Sequence, residues 1–447
     1  MNIQSAHKIL FAALLMALTI PVVAQDAARM SLQECVDFAM ENSTVIRENA
    51  RTIADTEQRK REALARGYPQ ISASLNYTNY VTLPVSLIPA EVIGGSPDDP
   101  PAEVQFGVPH NATVGADLSQ LVFDGAYFLG VKAANKLVNI EKERVELNLI
   151  DLEHNVTQAY YTALIADLRI RSFERSVERL RELATETRAL YDNGFVEEIE
   201  ADRLDRTLSD LESSVQSAKR DHDLAMIGLK YQMNMDFDKE IELTDRLDSL
   251  LLAQGQFATE FQVSNRVEYQ LLQMQQETNE LNVKYNRSAF LPKLFLVAHY
   301  EQNAQRNEFD LFDFDQPWFQ TAFIGARLEI PIFDGFQKRA GVERAKLQLE
   351  GIRLQQETLS RQLELQAEQA RTNYENATDR LASLQKSRDL AGKIFNVTQI
   401  KYREGVGSSL ELTTAQSDFE VAEDQYIAAL YELLIALSDL KKAYGQY

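Results

Sequence analysis

Apolar residues recur at alternating spacings of three and four along the stretch from Leu149 to Tyr191. Spacing that averages about 3.5 residues keeps one face of a helix against a partner helix while the two supercoil. The positions of this seam are Leu149, Leu152, Val156, Ala159, Ala163, Ala166, Ile170, Phe173, Val177, Leu180, Ala184, Thr187 and Tyr191. No proline lies between Gly125 and Tyr191. The pattern therefore predicts one uninterrupted helix, roughly 100 Å long at 1.5 Å per residue.

The same seam recurs about 210 residues later, which is the signature of an internal repeat. Its members are Leu363, Ala367, Ala370, Tyr374, Ala377, Leu381, Leu384, Arg388, Ala391, Phe395, Thr398 and Tyr402, of which only Arg388 is charged. The motif Phe-Asp-Gly likewise occurs twice, ending at Gly125 and at Gly335. We therefore expect a tandem duplication, with repeats over residues 25–234 and 262–447 joined by a linker at 235–261.

Each seam resumes beyond a glycine, Gly194 in the first copy and Gly405 in the second. The resumed seams run from Ala201 to Leu229 and from Leu412 to Ala443. A residue with positive φ, most often glycine, commonly ends a helix. Each repeat is thus expected to contain a coiled-coil hairpin, over about 126–234 and about 336–444. The many small seam residues suit helices that approach closely in a broad helical wall.

Upstream of each Phe-Asp-Gly, residues alternate with a period of two and predict strand pairs at about 70–122 and 293–332. In the segment 323–330, the apolar face carries Ile324, Ala326, Leu328 and Ile330, and the other face carries Phe323, Gly325, Arg327 and Glu329. This alternation is typical of a barrel wall with lipid outside and water inside, although a half-buried soluble sheet alternates in the same way. Four strands cannot close a transmembrane barrel, which needs at least about eight. Open edges are not tolerated in lipid. If the strands span a membrane, several chains must therefore share one barrel.

Shorter elements flank these repeats. Residues 1–24 have the basic start, apolar core and small residues of a secretory signal peptide. Ser31 and Glu34 form a capping-box motif that predicts a helix to about Arg66, and a second helix is expected from Asn265 to about Ala289. The loop at 302–319 is acidic, and solvated aspartates explain it better than a metal site does.

Composition removes several classes of function. The formal net charge is −21, which argues against nucleic acid as a partner. The five histidines are scattered and the chain has one cysteine, Cys35. No phosphate-binding loop or nucleophile elbow is present, so we expect no enzyme and no cofactor or metal centre.

The segment from Lys401 to Leu412, with the sequence KYREGVGSSLEL, the Phe-Asp-Gly turns and the two-repeat layout resemble the TolC-type outer-membrane efflux proteins. The resemblance covers nearly the whole mature chain and is closer in the second copy. It implies a mainly α fold with a β-barrel portion: a homotrimer in which each chain gives four transmembrane strands to one 12-stranded barrel. The helical hairpins would form a periplasmic α-helical barrel, which would meet a periplasmic adaptor and an inner-membrane transporter.

The resemblance also implies roles for particular residues. The tip turns at Tyr191 to Gly194 and at Tyr402 to Gly407 are expected to dock the adaptor. The family's acidic ring at the tunnel entrance falls by motif on Glu411, with Glu200 as its first-copy counterpart, and a second ring position falls on Thr414. Glu411 is also placed to complete a capping box with Ser408. Gly407 stands where the family would have a basic residue. The strand-to-helix turns comprise Asp124, Gly125, Asp334 and Gly335.

Two functions remain open on the sequence. One is a passive exit duct of a tripartite efflux or type I secretion system, located in the outer membrane. The alternative is a soluble periplasmic coiled-coil scaffold or adaptor, whose strands would face water instead of lipid.

Overall fold

The computed structural model describes residues 28–247, 260–313 and 315–447. The predicted signal peptide lies outside these residues, as does part of the predicted linker. The helices are α1 (Leu32–Asn42), α2 (Thr44–Ala65), α3 (Gly125–Asp192), α4 (Glu198–Gln232), α5 (Val267–Ser288), α6 (Gln337–Arg403) and α7 (Ser409–Ala443). The strands are β1 (Ala28–Met30), β2 (Gln70–Asn79), β3 (Val85–Ile88), β4 (Ala102–Gln105), β5 (His110–Phe123), β6 (Ile241–Leu243), β7 (Lys293–Arg306) and β8 (Phe319–Glu329).

The chain divides into two compact units. The first comprises Met1–Glu48, Val145–Arg266 and Arg361–Tyr447, of which the described part begins at residue 28. The second comprises Asn49–Arg144 and Val267–Ser360. Helices α3 and α6 contribute residues to both units.

The long helices match the seam pattern. Helix α3 has 68 residues and α6 has 67, and neither is interrupted. Seam residues are buried in both copies, among them Val156, Leu180 and Thr187 in α3 and Leu363 and Phe395 in α6. The prediction of two long helical hairpins is confirmed.

The first unit has its largest apolar core where α1 packs against α3 and α4. Cys35, Val156 and Leu229 are fully buried in it. Burial raises the pKa of the Cys35 thiol to about 12. Strand β1 pairs in parallel with β6 beside this core. Strand β6 lies in the segment 235–261, which the sequence predicted to be a linker.

The prediction of one helix from Ser31 to about Arg66 is wrong, because the helix breaks at Ser43. The capping box itself is present: the Ser31 side chain accepts from the Glu34 backbone, and the Glu34 carboxylate accepts from the Ser31 backbone at 2.7 Å. Ser43 has φ −58° and ψ 140°, outside the helical region. Its hydroxyl accepts a hydrogen bond from the Val45 N–H at 3.1 Å, so the side chain supplies the partner that the helix would otherwise supply.

The second unit contains an antiparallel four-stranded sheet in the order β2-β5-β7-β8. Its register places the predicted apolar positions on one face. The apolar face carries Ile71, Ala73, Leu75, Tyr77, Val114, Ala116, Leu118, Leu294, Leu296, Ala298, Tyr300, Ala322, Ile324, Ala326 and Leu328. Asp117, His299, Glu301, Arg327 and Glu329 all lie on the other face.

The apolar face is open to solvent in the single chain. Ile71 is 73% exposed, Leu75 74% and Ile324 88%. Strands β2 and β8 are the two edges of the sheet. No helix among the described residues is long and apolar enough to cross a membrane.

Candidate functional site

The two hairpin tips, residues 191–200 and 402–411, turn in the same way. Gly194 has φ 78° and Gly405 has φ 73°, so both adopt the left-handed conformation predicted for them. The Gly194 N–H donates to the Tyr191 carbonyl at 2.8 Å, and the Gly405 N–H donates to the Tyr402 carbonyl at 3.0 Å. These bonds satisfy carbonyl groups that a helix end would leave without a partner.

Gly407 is held against the end of α6. Its N–H donates to the Lys401 carbonyl at 3.1 Å, and an added Cβ would lie 3.2 Å from the Tyr402 nitrogen. A side chain here would push against backbone atoms. The close approach gives a physical reason for glycine at the position where the family resemblance led us to expect a basic residue.

Glu200 and Glu411, the two candidates for an acidic ring, have different surroundings. The Glu200 carboxylate accepts a hydrogen bond from the Ser409 N–H at 2.7 Å. It therefore lies at the N-terminus of α7, where the helix dipole favours negative charge. A side chain of the first hairpin thus caps a helix of the second.

Glu411 is exposed, and its carboxylate makes no hydrogen bond or ion pair with any residue that the structure describes. Its N–H donates to the Ser408 hydroxyl at 3.2 Å, which is one half of the capping box. The returning bond from the carboxylate, present at Ser31 and Glu34 in α1, does not form here. The Glu411 side chain is left free for solvent or ions.

Further contacts join the two hairpins near the tips. The Thr187 and Tyr402 hydroxyl groups lie 3.1 Å apart. Burial raises the pKa of Tyr402, while its bond with Thr187 acts in the opposite direction. Arg403 reaches Glu186 at 3.3 Å and Glu182 at 3.7 Å. A single chain therefore holds its own two tips together.

The sequence did not predict these contacts, although it contained one signal for them. Thr187 is the one polar member of the α3 seam, and it is fully buried. A buried hydroxyl requires a hydrogen-bond partner. In the structure that partner is Tyr402, one of three hydroxyl-bearing residues in the matching seam.

The two strand-to-helix turns differ. At the first, the Asp124 carboxylate accepts from the Ala126 N–H at 2.8 Å and lies 3.3 Å from Lys293 Nζ. Gly125 is tightly packed, because an added Cβ would lie 2.9 Å from Leu291.

At the second turn, Gly335 and Phe336 both have positive φ, 63° and 67°. The Asp334 carboxylate accepts from the Lys338 N–H at 3.1 Å, and α6 begins only at Gln337. The shared Phe-Asp-Gly motif thus gives two different turns.

In the acidic loop, Asp310 pairs with the buried Arg306 at 3.3 Å. Within the described part of the chain, no group of three or more metal-binding side chains could hold a metal ion.

Comparison with known proteins gives consistent matches. Residues 263–446 match the family model described as outer membrane efflux protein. The alkaline protease secretion protein AprF of Pseudomonas aeruginosa is 23% identical over 342 residues, covering 72% of this chain and 67% of that protein.

Two solved structures show the fold of nearly the whole chain. A structure of CusC, described with its transmembrane channel formation, aligns with a TM-score of 0.75 and 14% identity, covering 95% of each chain. The outer membrane protein VceC of Vibrio cholerae aligns with a TM-score of 0.70 and 14% identity, covering 93% of this chain and 96% of that one.

Proposed function

We propose that this chain, whose residues 263–446 match the outer membrane efflux protein family, is a TolC-type member of that family. We further propose that it serves as the passive exit duct of a tripartite efflux or type I secretion system. Its substrates would pass from an inner-membrane transporter and a periplasmic adaptor to the outside. The protein is an outer membrane channel, and its helical hairpins belong to the periplasm.

The four-stranded sheet carries this proposal. Over residues 71–77, 112–118, 294–302 and 320–328, its apolar face bears no Asp, Glu, Lys or Arg, and Arg306 follows on that side only at the end of β7. The opposite face holds charged groups such as Asp117 and Arg327. Lipid against the apolar face and water against the charged face would suit the side chains of each. A soluble scaffold would instead leave Ile71, Leu75 and Ile324 exposed to water, in a patch of the kind that soluble monomers rarely carry.

The edges of the sheet argue for a trimer. Strands β2 and β8 have unpaired edges, and a spanning sheet in lipid must close. One chain supplies four strands, fewer than the smallest barrels of about eight. We propose that three copies join edge to edge in one barrel of twelve strands, as the family resemblance implies.

The tips are the proposed site of contact with the adaptor and the inner-membrane transporter. The turns at Gly194 and Gly405 are exposed, and no described residue beyond the adjacent ones has a heavy atom within 4 Å of the position that a Cβ would take. Glu411 is the proposed acidic ring, since its carboxylate is unpaired. Glu200 has a different proposed role, which is to fasten the tip of the second hairpin.

The experiment is to fractionate the envelope of cells that make the protein and to measure the mass of the detergent-extracted particle. The duct requires an outer-membrane trimer whose migration on a denaturing gel changes on heating. Recovery from the soluble periplasm as a monomer would favour the scaffold. A deletion strain, tested for sensitivity to toxic compounds and for loss of secreted protein, then identifies the cargo.

A further inference from the structure

Arg388 is the single charged residue in the second seam, at the position that Val177 occupies in the first. Val177 is buried, as a seam residue should be. The Arg388 guanidinium instead lies over the Tyr426 ring, 4.2 Å from its centroid. It pairs with Asp389 at 2.8 Å and lies 3.8 Å from Glu423.

Arg179, on α3, lines the same cleft as Arg388. Its guanidinium lies over Phe419 at 5.6 Å and over Phe395 at 5.9 Å, and these two rings are stacked. One terminal nitrogen donates to the Ser176 hydroxyl at 3.0 Å, but the buried Nε has no hydrogen-bond partner among the described residues. Burial lowers the pKa of Arg179, and the positive charge of Arg175 lowers it further. The negative charges of Glu420 and Glu423 act in the opposite direction.

These arginines line a cleft of about 670 Å³ between α3, α6 and α7. The cationic residues of its lining are Arg175, Arg179, Arg388 and Lys393, and the anionic ones are Asp389 and Glu423. Glu423 is shared, because it lies 3.8 Å from both Arg175 and Arg388. Lys393 makes no ion pair with any described residue, and its side chain is exposed.

One further carboxylate lies close by. Glu420 attracts Arg179, and burial raises the pKa of Glu420. In a protein with a net charge of −21, this cleft is a local excess of positive charge. Its apolar lining comes from Leu168, Phe419, Tyr426 and Ile427.

We propose that this cleft binds a small organic anion with a carboxylate or phosphate group and a flat apolar body. Guanidinium groups that lie over aromatic rings can present N–H groups to an anion, and carboxylate and phosphate match the guanidinium fork. The Nε of Arg179 and the ammonium of Lys393 are donors that no described residue uses. The apolar lining receives the body of the ligand, and the volume is in the range of small-molecule pockets.

The test is calorimetric titration of the detergent-extracted protein with 1-naphthoate, 1-naphthyl phosphate and the neutral 1-naphthylmethanol. Both anions should bind with a Kd below about 1 mM, and the alcohol should not bind measurably. Affinity for the anions should fall as salt rises. Equal binding of the alcohol, or no binding of either anion to the wild-type protein, would overturn the proposal.

The matched variants are Arg388→Val and Arg371→Val. Both remove one positive charge from α6, but Arg371 is exposed and outside the cleft. Arg388→Val restores the residue type of the first seam, so the helix should fold, and it should weaken anion binding by at least about tenfold. Arg371→Val should bind as the wild type does.

A further variant separates loss of binding from loss of folding. Lys393→Gln changes only an exposed side chain, and it should weaken binding severalfold while leaving the melting temperature unchanged. Unaltered affinity in both Arg388→Val and Lys393→Gln would show that the cleft is not the site. Outer-membrane location and trimer mass are measured separately, so this outcome would leave the duct function standing.

Discussion

Glu200 and Glu411 occupy matching positions in the two copies, yet only one of them is free. The Glu200 carboxylate is bound to the Ser409 N–H, while the Glu411 carboxylate has no partner among the described residues. Three copies of an unpaired carboxylate near one axis would attract cations and bind multivalent ones. The sequence motif alone could not separate the two residues, because the difference arises from a contact between hairpins.

Glu411→Gln should therefore reduce cation selectivity without loss of stability. In planar-bilayer recordings under a salt gradient, its reversal potential should lie closer to zero, and block by trivalent cations should weaken. Glu200→Gln is the matched control, with the same loss of charge at the tip. It should keep its selectivity and lose about 0.3–1 kcal/mol of stability at the N-terminus of α7. A reversal potential identical to wild type in Glu411→Gln would assign that residue no part in selectivity.

Gly405→Ala should destabilise the tip, because alanine at φ 73° costs about 1–2 kcal/mol even with open space around it. Gly351→Ala is the control: this glycine lies within α6, also in open space, and alanine there should stabilise by about 0.5–1 kcal/mol. Melting curves of the extracted protein should shift in opposite directions. A higher melting temperature for Gly405→Ala would contradict the expected cost of alanine in the left-handed conformation.

At the scale of elements, the seams could be predicted because a period of 3.5 was sustained over many positions and then repeated. The break between α1 and α2 could not, since it depends on one serine side chain competing for the backbone. Strands β1 and β6 have three residues each, too few for a period to show. The pairing of β5 with β7 joins strands from different copies, and no local pattern specifies such a register.

The capping box of α1 predicts a pH dependence. Hydrogen bonds from the Ser31 backbone and hydroxyl lower the pKa of Glu34 below its usual 4.5. A lowered pKa in the folded state means that this stabilisation is present above pH 4.5 and is lost as the pH falls through the folded value. The difference in stability between wild type and Glu34→Gln should therefore shrink on acidification. If the difference in stability stays constant from pH 7 to pH 3, the Glu34 carboxylate is not the source of the stabilisation.

The two faces of the sheet predict opposite outcomes for neighbouring residues on β2. Leu75 lies on the apolar face and Ser74 on the other, opposite Gly115. Leu75→Lys should prevent outer-membrane assembly, because lysine on a lipid-facing barrel position costs about 2–4 kcal/mol near the midplane. Ser74→Lys should assemble. Assembly of both variants is measured as the amount of heat-modifiable trimer on gels. Equal amounts of trimer from Leu75→Lys and Ser74→Lys would refute the assignment of faces.

At the scale of the whole molecule, the unpaired edges make assembly testable. Cysteines on β2 and β8 lie at opposite edges of a four-stranded sheet, roughly 14 Å apart at about 4.8 Å per strand. A disulfide needs Cα atoms within about 7 Å, so these cysteines cannot bridge within one chain.

We expect Asn76→Cys combined with Phe323→Cys, Gly325→Cys or Arg327→Cys to give covalent dimers and trimers for at least one combination. The single variants should give no such trimer on a non-reducing gel. Absence of crosslinks from every combination, with the protein in the outer membrane, would count against edge-to-edge pairing of β2 with β8.

The reactivity of Cys35 toward a thiol reagent reports whether the protein has folded. It is the only cysteine in the chain, and it is fully buried with a pKa of about 12. A chain that has not yet packed α1 against α3 offers this sulfur to maleimide, whereas a packed chain withholds it. A maleimide that does not cross the inner membrane should therefore label only exported chains in which this core is not yet packed, with no engineered probe.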